Sequence, residues 1–279
     1  MTEASARLAT ELAGGGPGRP RTRISVLRSG WPLMLRATAP LADTPATAWV
    51  GRTTDPARVH LAAGAAGPLG GDRLRLEVRV GPGSALVLGE IATTLLLPGT
   101  YGGRSRLDVR IHVGAGAALA WLPELVIAAR GCRHVTDTRV VLEPGARLVL
   151  REEVLFGRHG EPCGGFRQRV RVETGGGPLY DQELGAGPAA PGWDGPAVTA
   201  GRAAAGTLLV VDPGRPVPDE TAAAAFPAAD TALMELSGGG TLFSALAPDT
   251  AVLRRLLDGA AARLLSRAHG PGGLVPAAV

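Results

Sequence analysis

A glycine-centred motif occurs three times in this chain, and its spacing limits the fold more than any other feature of the sequence. The copies cover residues 80–88, 113–121 and 142–150, and their turn glycines lie 33 and 29 residues apart. Units that recur with a period of 20 to 50 residues bury their apolar faces on one another. The repeat therefore predicts stacked units rather than a core enclosed by unrelated elements.

Each copy follows a stretch in which apolar and polar residues alternate, as in Leu76, Val78 and Val80 before the first copy. Such alternation is typical of a strand with one buried face. A leading strand, a glycine turn and a following strand would make one hairpin-like unit. We expect a mainly β chain built as layered β-hairpins or a β-solenoid, with a β-sandwich as the second choice. A fourth, less regular copy begins at Val170.

The domain organisation follows from composition along the chain. Residues 1–20, which end in a Gly- and Pro-rich stretch, are expected to be a flexible tail, and residues 21–267 a single β domain. One or two peripheral helices are expected near the C-terminus: Asp249 can cap an amphipathic helix over about 250–267, which packs either on its own chain or on a partner. Residues 268–279 are expected to be a second flexible tail.

Composition excludes several classes of protein. Hydrophobic residues make up 45% of the chain and charged residues 19%, which supplies a core. The net charge of +4 is spread along the sequence without a basic run, so neither nucleic acid nor a membrane is expected as a partner. Two cysteines, no apolar leader and no stretch of ~18 apolar residues favour the cytoplasm.

Acidic residues recur seven or eight positions after each turn glycine, at Glu90, at Glu124 and at the pair Glu152 and Glu153. In stacked units these positions form a column, and carboxylates in a column need a compensating charge. Arginine side chains could supply it. The alternative is an oxygen-lined route for a divalent cation, which oxygen ligands alone would hold weakly.

A second candidate metal site is the pair Cys132 and His134, which lie on one face of an extended segment. Both are competent ligands for nickel or zinc, and Glu124 could complete a transient nickel contact. The alternative is a buried structural cysteine beside a surface histidine. The loop 157–163, with His159 and Cys163, is a weaker candidate of the same kind.

Catalytic motifs are missing from the sequence. It has no Gly-x-Ser-x-Gly, HExxH or GxxxxGK[ST] pattern, and it has no lysine, which excludes a Walker-type ATPase and a Schiff-base enzyme. We therefore predict no catalytic residue. One enzymatic alternative is kept: a metal-assisted hydrolase on a β-solenoid, using Glu152, Glu153 and His159.

Five further segments occur in a characteristic order: Trp-Pro-Leu-Met-Leu-Arg at 31–36, Gly-Pro-Leu-Gly-Gly-Asp-Arg-Leu at 67–74, Ile-Ala-Thr-Thr at 91–94, Trp-Leu-Pro-Glu-Leu-Val-Ile at 121–127 and Phe-Gly-Arg-His-Gly-Glu at 156–161. In this order they resemble the urease accessory protein UreD (UreH) family, over roughly residues 20–265. The motif positions carried over are Gly70, Gly71, Asp72, Leu122, Pro123, Gly157, Arg158, Gly160 and Glu161. The chain departs from the family pattern at 95–101 and at 125–126, and no residue is carried over from those stretches.

The resemblance implies a nickel-insertion chaperone that performs no catalysis itself. It would bind the accessory protein UreF, which recruits the GTPase UreG, and the assembly, in which this chain could be dimeric, would dock on the urease apoprotein. No cofactor would be tightly bound, although nickel could bind transiently. The candidate lining of an internal nickel passage is Asp72, Glu90, Glu124, Glu152, Glu153 and Glu161.

Overall fold

The computed structural model describes residues 1–14, 18–39, 44–213 and 230–266. Within these residues the chain forms two β-sheets and two helices. The first sheet has the strand order β14-β13-β11-β8-β5-β1-β2. Its strands, in chain order, are β1 (Glu3–Leu12), β2 (Thr22–Arg28), β5 (Arg73–Val80), β8 (Ser105–Val113), β11 (Arg133–Leu142), β13 (Gly165–Thr174) and β14 (Gly177–Ala186).

The second sheet has the strand order β16-β17-β15-β12-β9-β6-β4-β3, with β10 pairing β12 and β7 beside it. Its strands are β3 (Leu33–Ala37), β4 (Ala57–Ala63), β6 (Ala85–Glu90), β7 (Thr94–Leu96), β9 (Ala118–Leu122), β10 (Val126–Ala128), β12 (Arg147–Leu155), β15 (Ala204–Val211), β16 (Thr231–Leu236) and β17 (Gly240–Ala247). The helices are α1 (Pro45–Val50) and α2 (Thr250–Leu265).

The repeats stack as a β-solenoid, which confirms the predicted fold class. The leading strands β5, β8, β11 and β13 pair in parallel in the first sheet, and the following strands β6, β9 and β12 pair in parallel in the second. The two strands of a repeat therefore lie in opposite sheets and do not pair with each other, so each of the first three repeats is an arch rather than a hairpin. Only the fourth, irregular copy forms an antiparallel hairpin, between β13 and β14.

The glycine turns carry the chain from one sheet to the other and stack closely. Gly83 and Gly116 have φ angles of +66° and +63°, which suit glycine. Gly83 N donates to Ala115 O at 2.9 Å, so successive turns are hydrogen-bonded. A Cβ added to Gly81 would lie 2.5 Å from Thr10 O. The turns therefore need small residues where neighbouring units meet.

The main core lies between the two sheets, where the alternating apolar residues of the leading strands face the following strands. The second sheet is also covered on its other face by α1 and α2, through a separate cluster that includes Trp49, Phe243, Leu253 and Leu257. Because its strands are buried on both faces, they are continuous apolar runs; β6, for example, has five consecutive buried residues.

The ends of the chain differ from the sequence prediction in one place and match it in another. The prediction of a flexible tail over 1–20 is wrong for Glu3–Leu12, which form β1 between β5 and β2. Buried and exposed residues alternate along β1, but two of its inward residues are alanines, which give only a weak hydrophobic signal in the sequence. Helix α2 is present, with Asp249 as its N-cap, and packs on its own chain. The predicted tail at 268–279 lies outside the described residues.

Helix α1 was not predicted, since it lies in the first third of the chain and is only six residues long. Across the part of the chain that the structure covers, neither helix combines the length and apolarity needed to cross a bilayer.

The close stacking of the turns gives a test of the fold. We expect Gly81→Ala to destabilise the protein by ~2 kcal/mol, because the added methyl group would overlap the Thr10 carbonyl of the neighbouring strand. Urea unfolding would measure the change. Gly175→Ala is the matched control, since its methyl group would meet no atom within 4 Å; equal stability of the two variants would contradict the stacked arrangement.

Candidate functional site

Three cavities lie in a row inside the protein and share lining residues. The front cavity, of about 110 Å³, and the inner cavity, of about 60 Å³, share Glu90 and Thr94. The inner cavity and the rear cavity, of about 320 Å³, share Glu152, Glu153 and Gln168. The three cavities therefore adjoin one another, and at least one glutamate lines both members of each neighbouring pair.

Glu90, at the end of β6, stands between the front and inner cavities. Its Oε2 accepts a hydrogen bond from the Glu124 backbone N at 3.2 Å. Burial raises the pKa of this carboxyl to about 7. Near neutral pH it can hold or release a proton.

Glu152, on β12, stands between the inner and rear cavities, as Glu90 stands between the front and inner ones. Burial raises the pKa of its carboxyl to about 7, against the opposing effect of a hydrogen bond from Gln168. The Glu152 charge, together with burial, also raises the pKa of Tyr180 in the rear cavity. Two carboxyls with similar protonation behaviour thus stand one at each end of the inner cavity.

Glu124 and Glu153 line the inner cavity as well, but both are paired with Arg254 of helix α2. The Arg254 Nη2 binds the Glu124 carboxylate, and its Nε lies 3.3 Å from Glu153 Oε2. Glu153 also binds Arg151 at 2.7 Å, and Arg151 binds Asp258 of the same helix at 2.6 Å. The guanidinium of Arg254 therefore partly offsets the charge of the acidic cluster where the inner cavity meets a groove beneath α2.

Asp72 lines the front cavity and is buried. Its Oδ1 accepts from Thr2 N at 2.8 Å, and its Oδ2 accepts from Leu69 N at 3.0 Å. Position 70, two residues before Asp72, requires glycine because a Cβ there would lie 2.5 Å from Gly99 N. The Gly70-Gly71-Asp72 motif thus fixes the start of β1 to a tight turn as well as contributing a carboxylate to the cavity.

Glu161 is not brought to the cavities. Arg158 Nε and Nη2 donate to its carboxylate at 2.8 and 2.6 Å, and this pairing lowers the pKa of Glu161. Gly157 and Gly160 adopt φ angles of +93° and +72° in the same loop. These motif positions therefore build a surface turn. Of the other motif positions, Pro123 lines the inner cavity, and Leu122 packs against the cluster beneath the helices.

The structure does not bring Cys132, His134 and Glu124 together as one metal site. His134 lines the inner cavity with Glu124, but Cys132 lies in a separate apolar cluster with Cys163. No group of three or more His, Cys, Asp and Glu side chains in the described ranges is arranged to hold a metal.

His134 is buried, not at the surface, and both of its ring nitrogens are engaged. Nδ1 lies 2.8 Å from Ser105 Oγ and Nε2 lies 2.9 Å from Thr136 Oγ1. Burial lowers the pKa of His134 to about 4 and raises that of Cys132 to about 11. The imidazole is therefore neutral and the thiol protonated at neutral pH.

The hydrolase alternative gains no support from this geometry. His159 is exposed in the loop 157–163, whereas Glu152 and Glu153 line the interior cavities.

Sequence reasoning missed Gln168 and Arg254, which contact the predicted glutamates. Gln168 is the polar residue at an inward position of β13, and that break in the apolar alternation is the signal that could have identified it. Arg254 carried no such signal, because a charged residue on an amphipathic helix is ordinarily a solvated one.

Comparison with known proteins places the chain beside one family. The family model described as UreD urease accessory protein matches residues 2–277. A urease accessory protein UreD of Streptomyces avermitilis is 42% identical, over 95% of this chain and 100% of that protein. A urease accessory protein UreD 3 of Streptomyces griseus is 41% identical over 94% and 98%, and a UreD of Frankia alni is 42% identical over 92% of each.

The Arg254 contacts predict an anchoring role. Arg254→Gln should lower the free energy of unfolding by ~1 kcal/mol, because the change leaves the buried Glu153 with Arg151 as its remaining cation, while the half-exposed position of Arg254 limits the loss. Urea unfolding would measure the change. Arg255→Gln, an exposed neighbour on the same helix, should have almost no effect; an equal loss in both variants would exclude a specific role for Arg254.

The raised pKa of Glu90 predicts a pH-dependent stability. The fold binds this proton more tightly than the unfolded chain, whose carboxyl titrates near 4.5. The stabilising contribution is therefore complete below about pH 4.5 and is lost as the pH rises through 7. Since Glu90→Gln stays neutral, its free energy of unfolding relative to the unaltered protein should increase by ~2 kcal/mol between pH 5 and pH 8.

The measurement is urea unfolding across this pH range, with Glu235→Gln, an exposed glutamate, as the control. Parallel pH profiles for the Glu90 variant and the unaltered protein would show that the Glu90 carboxyl is not perturbed.

Proposed function

The chain belongs to the UreD urease accessory protein family, and we propose that it serves as the scaffold through which nickel reaches the urease metallocentre during maturation. The observation that carries the proposal is the row of adjoining interior cavities lined by Asp72, Glu90, Glu124, Glu152 and Glu153. In this proposal nickel is cargo rather than a resident cofactor.

The carboxylates suit a moving cation because oxygen ligands hold nickel less tightly than imidazole or thiolate ligands do. Glu90 and Glu152, with pKa values of about 7, can lose their protons when a cation approaches and regain them when it leaves. Both therefore avoid a permanent buried charge. His134, with both nitrogens hydrogen-bonded, and Cys132, a buried thiol, would not trap the ion.

Arg254 fits the same proposal as a tethered cation. In the absence of nickel it lies between Glu124 and Glu153, offsets one of their two negative charges and therefore reduces the repulsion between the carboxylates. A dication in the inner cavity would compete with the guanidinium for these two side chains.

The partners in this proposal are UreF, UreG and the urease apoprotein, in the cytoplasm. The energy for transfer would come from the GTPase partner, since the sequence has no phosphate-binding loop. This chain would supply a rigid body and the route, and no bond-making step.

Replacing the two end carboxylates should separate transit from assembly. We expect the double variant Glu90→Gln/Glu152→Gln to reduce the nickel content and activity of co-expressed urease at least fivefold, because two exchangeable ligands are lost while the side-chain shape is kept. Co-purification of UreF, UreG and the urease apoprotein should be unchanged.

Glu235→Gln is the control, as it removes an exposed carboxylate that does not line any of the three cavities. Full nickel loading of urease with the double variant would refute the passage. Failure of the unaltered chain to co-purify with any of the three partners would refute the accessory role itself.

A further inference from the structure

The outer face of the first sheet carries an unusual concentration of arginine. Every second residue of its four parallel strands β5, β8, β11 and β13 points outward. These outward residues are the odd-numbered ones in 73–79, 133–141 and 167–173 and the even-numbered ones in 106–112. These positions hold ten arginines against four carboxylates. We call this surface the arginine face.

The arginine face accounts for more than the net charge of the whole protein. It has a net charge of +6, whereas the chain has 29 basic and 25 acidic residues, so the remainder has 19 and 21 and a net charge of −2. A period of two spreads these arginines thinly along the sequence, which is why the sequence showed no basic run. Parallel pairing in register then gathers them on one surface.

The carboxylates within the face order their neighbours without neutralising it. Asp137 binds Arg171 at 2.8 Å and Asp108 binds Arg106 at 2.7 Å, which fixes these guanidinium groups. Three other arginines, Arg73, Arg79 and Arg133, have no carboxylate partner among the described residues. The guanidinium groups without a carboxylate partner are available to an external anion.

The two sheets differ in what covers them. Helices α1 and α2 pack on the outer face of the second sheet, but no element in the described ranges covers the first. The whole outer face of the first sheet, which contains the arginine face, has seven strands spaced ~4.8 Å apart and about eight residues long. Its area is about 750 Å², close to the area that one partner contributes to a standard interface.

We propose that the arginine face docks an acidic surface of a protein partner. A protein fits the face better than a nucleic acid does, because the outward positions of β5, β8, β11 and β13 include no Phe, Tyr or Trp on which bases could stack. Val135 and Val141, which lie among the arginines, add apolar contact area. Electrostatic steering would speed the encounter and make it dependent on salt.

The proposal rests on the accessory role, since the candidate partners are those of the urease assembly. The test uses the full chain with Arg73, Arg79 and Arg139 all changed to Glu. The control changes Arg36, Arg130 and Arg255 to Glu, which are exposed arginines outside the face, so both variants lose the same charge. Binding kinetics to purified UreF, UreG and urease apoprotein would be measured at 50 and 300 mM salt, together with binding to a 20-nucleotide RNA.

We expect the face variant to bind at least one of the three proteins about tenfold more weakly at low salt, mainly through a slower association rate, and the difference to shrink at high salt. The control should remain within threefold of the unaltered chain. Equal binding of all three proteins by both variants would overturn this inference alone. Loss of RNA binding without loss of any protein would also overturn it, and no protein binding by the unaltered chain would overturn the accessory role with it.

Discussion

Parallel pairing in register is the constraint on which the rest of this structure depends. Because each repeat places equivalent residues beside one another, every position of the repeat becomes a row that crosses a sheet. Inward rows of Leu, Val and Ile make the core between the sheets. Outward rows make the arginine face, and the carboxylates near the ends of the second-sheet strands line the interior cavities. Parallel pairing of the repeats thus underlies the core, the charged surface and the cavities that the glutamates line.

The cavities exist because the polar residues at the ends of the repeats fall inside the protein. Glu90 and Glu152 are held there without a permanent charge, while Glu124 and Glu153 share the guanidinium of Arg254. Burying four unpaired anions would be too costly for a domain of ordinary stability. The protonation of two carboxyls and the pairing of the other two make the arrangement tolerable, and the same features suit reversible binding of a cation.

The sequence revealed the repeat, the strands and helix α2, because each of these depends on local patterns. It did not reveal that the two strands of a repeat lie in opposite sheets, since alternation and a glycine turn are the same in a hairpin and in an arch. Strand β1 was missed because Ala4 and Ala6 give a weak apolar signal, although small side chains suffice beside β5. The column of glutamates was predicted from spacing, and the cavity lining includes Glu90, Glu124, Glu152 and Glu153. Spacing could not show that Glu161 turns outward to Arg158, or that Cys132 and His134 enter different clusters.

The most direct test of the central claim is to observe the interior carboxyls themselves by carbon-13 NMR of glutamate-labelled protein, with resonances assigned by single Glu→Gln substitutions. The account predicts that Glu90 and Glu152 titrate near pH 7 and that added Ni²⁺ broadens their signals in preference to those of exposed glutamates such as Glu235. Titration of every glutamate near its ordinary value, with Ni²⁺ affecting only surface carboxylates, would contradict it.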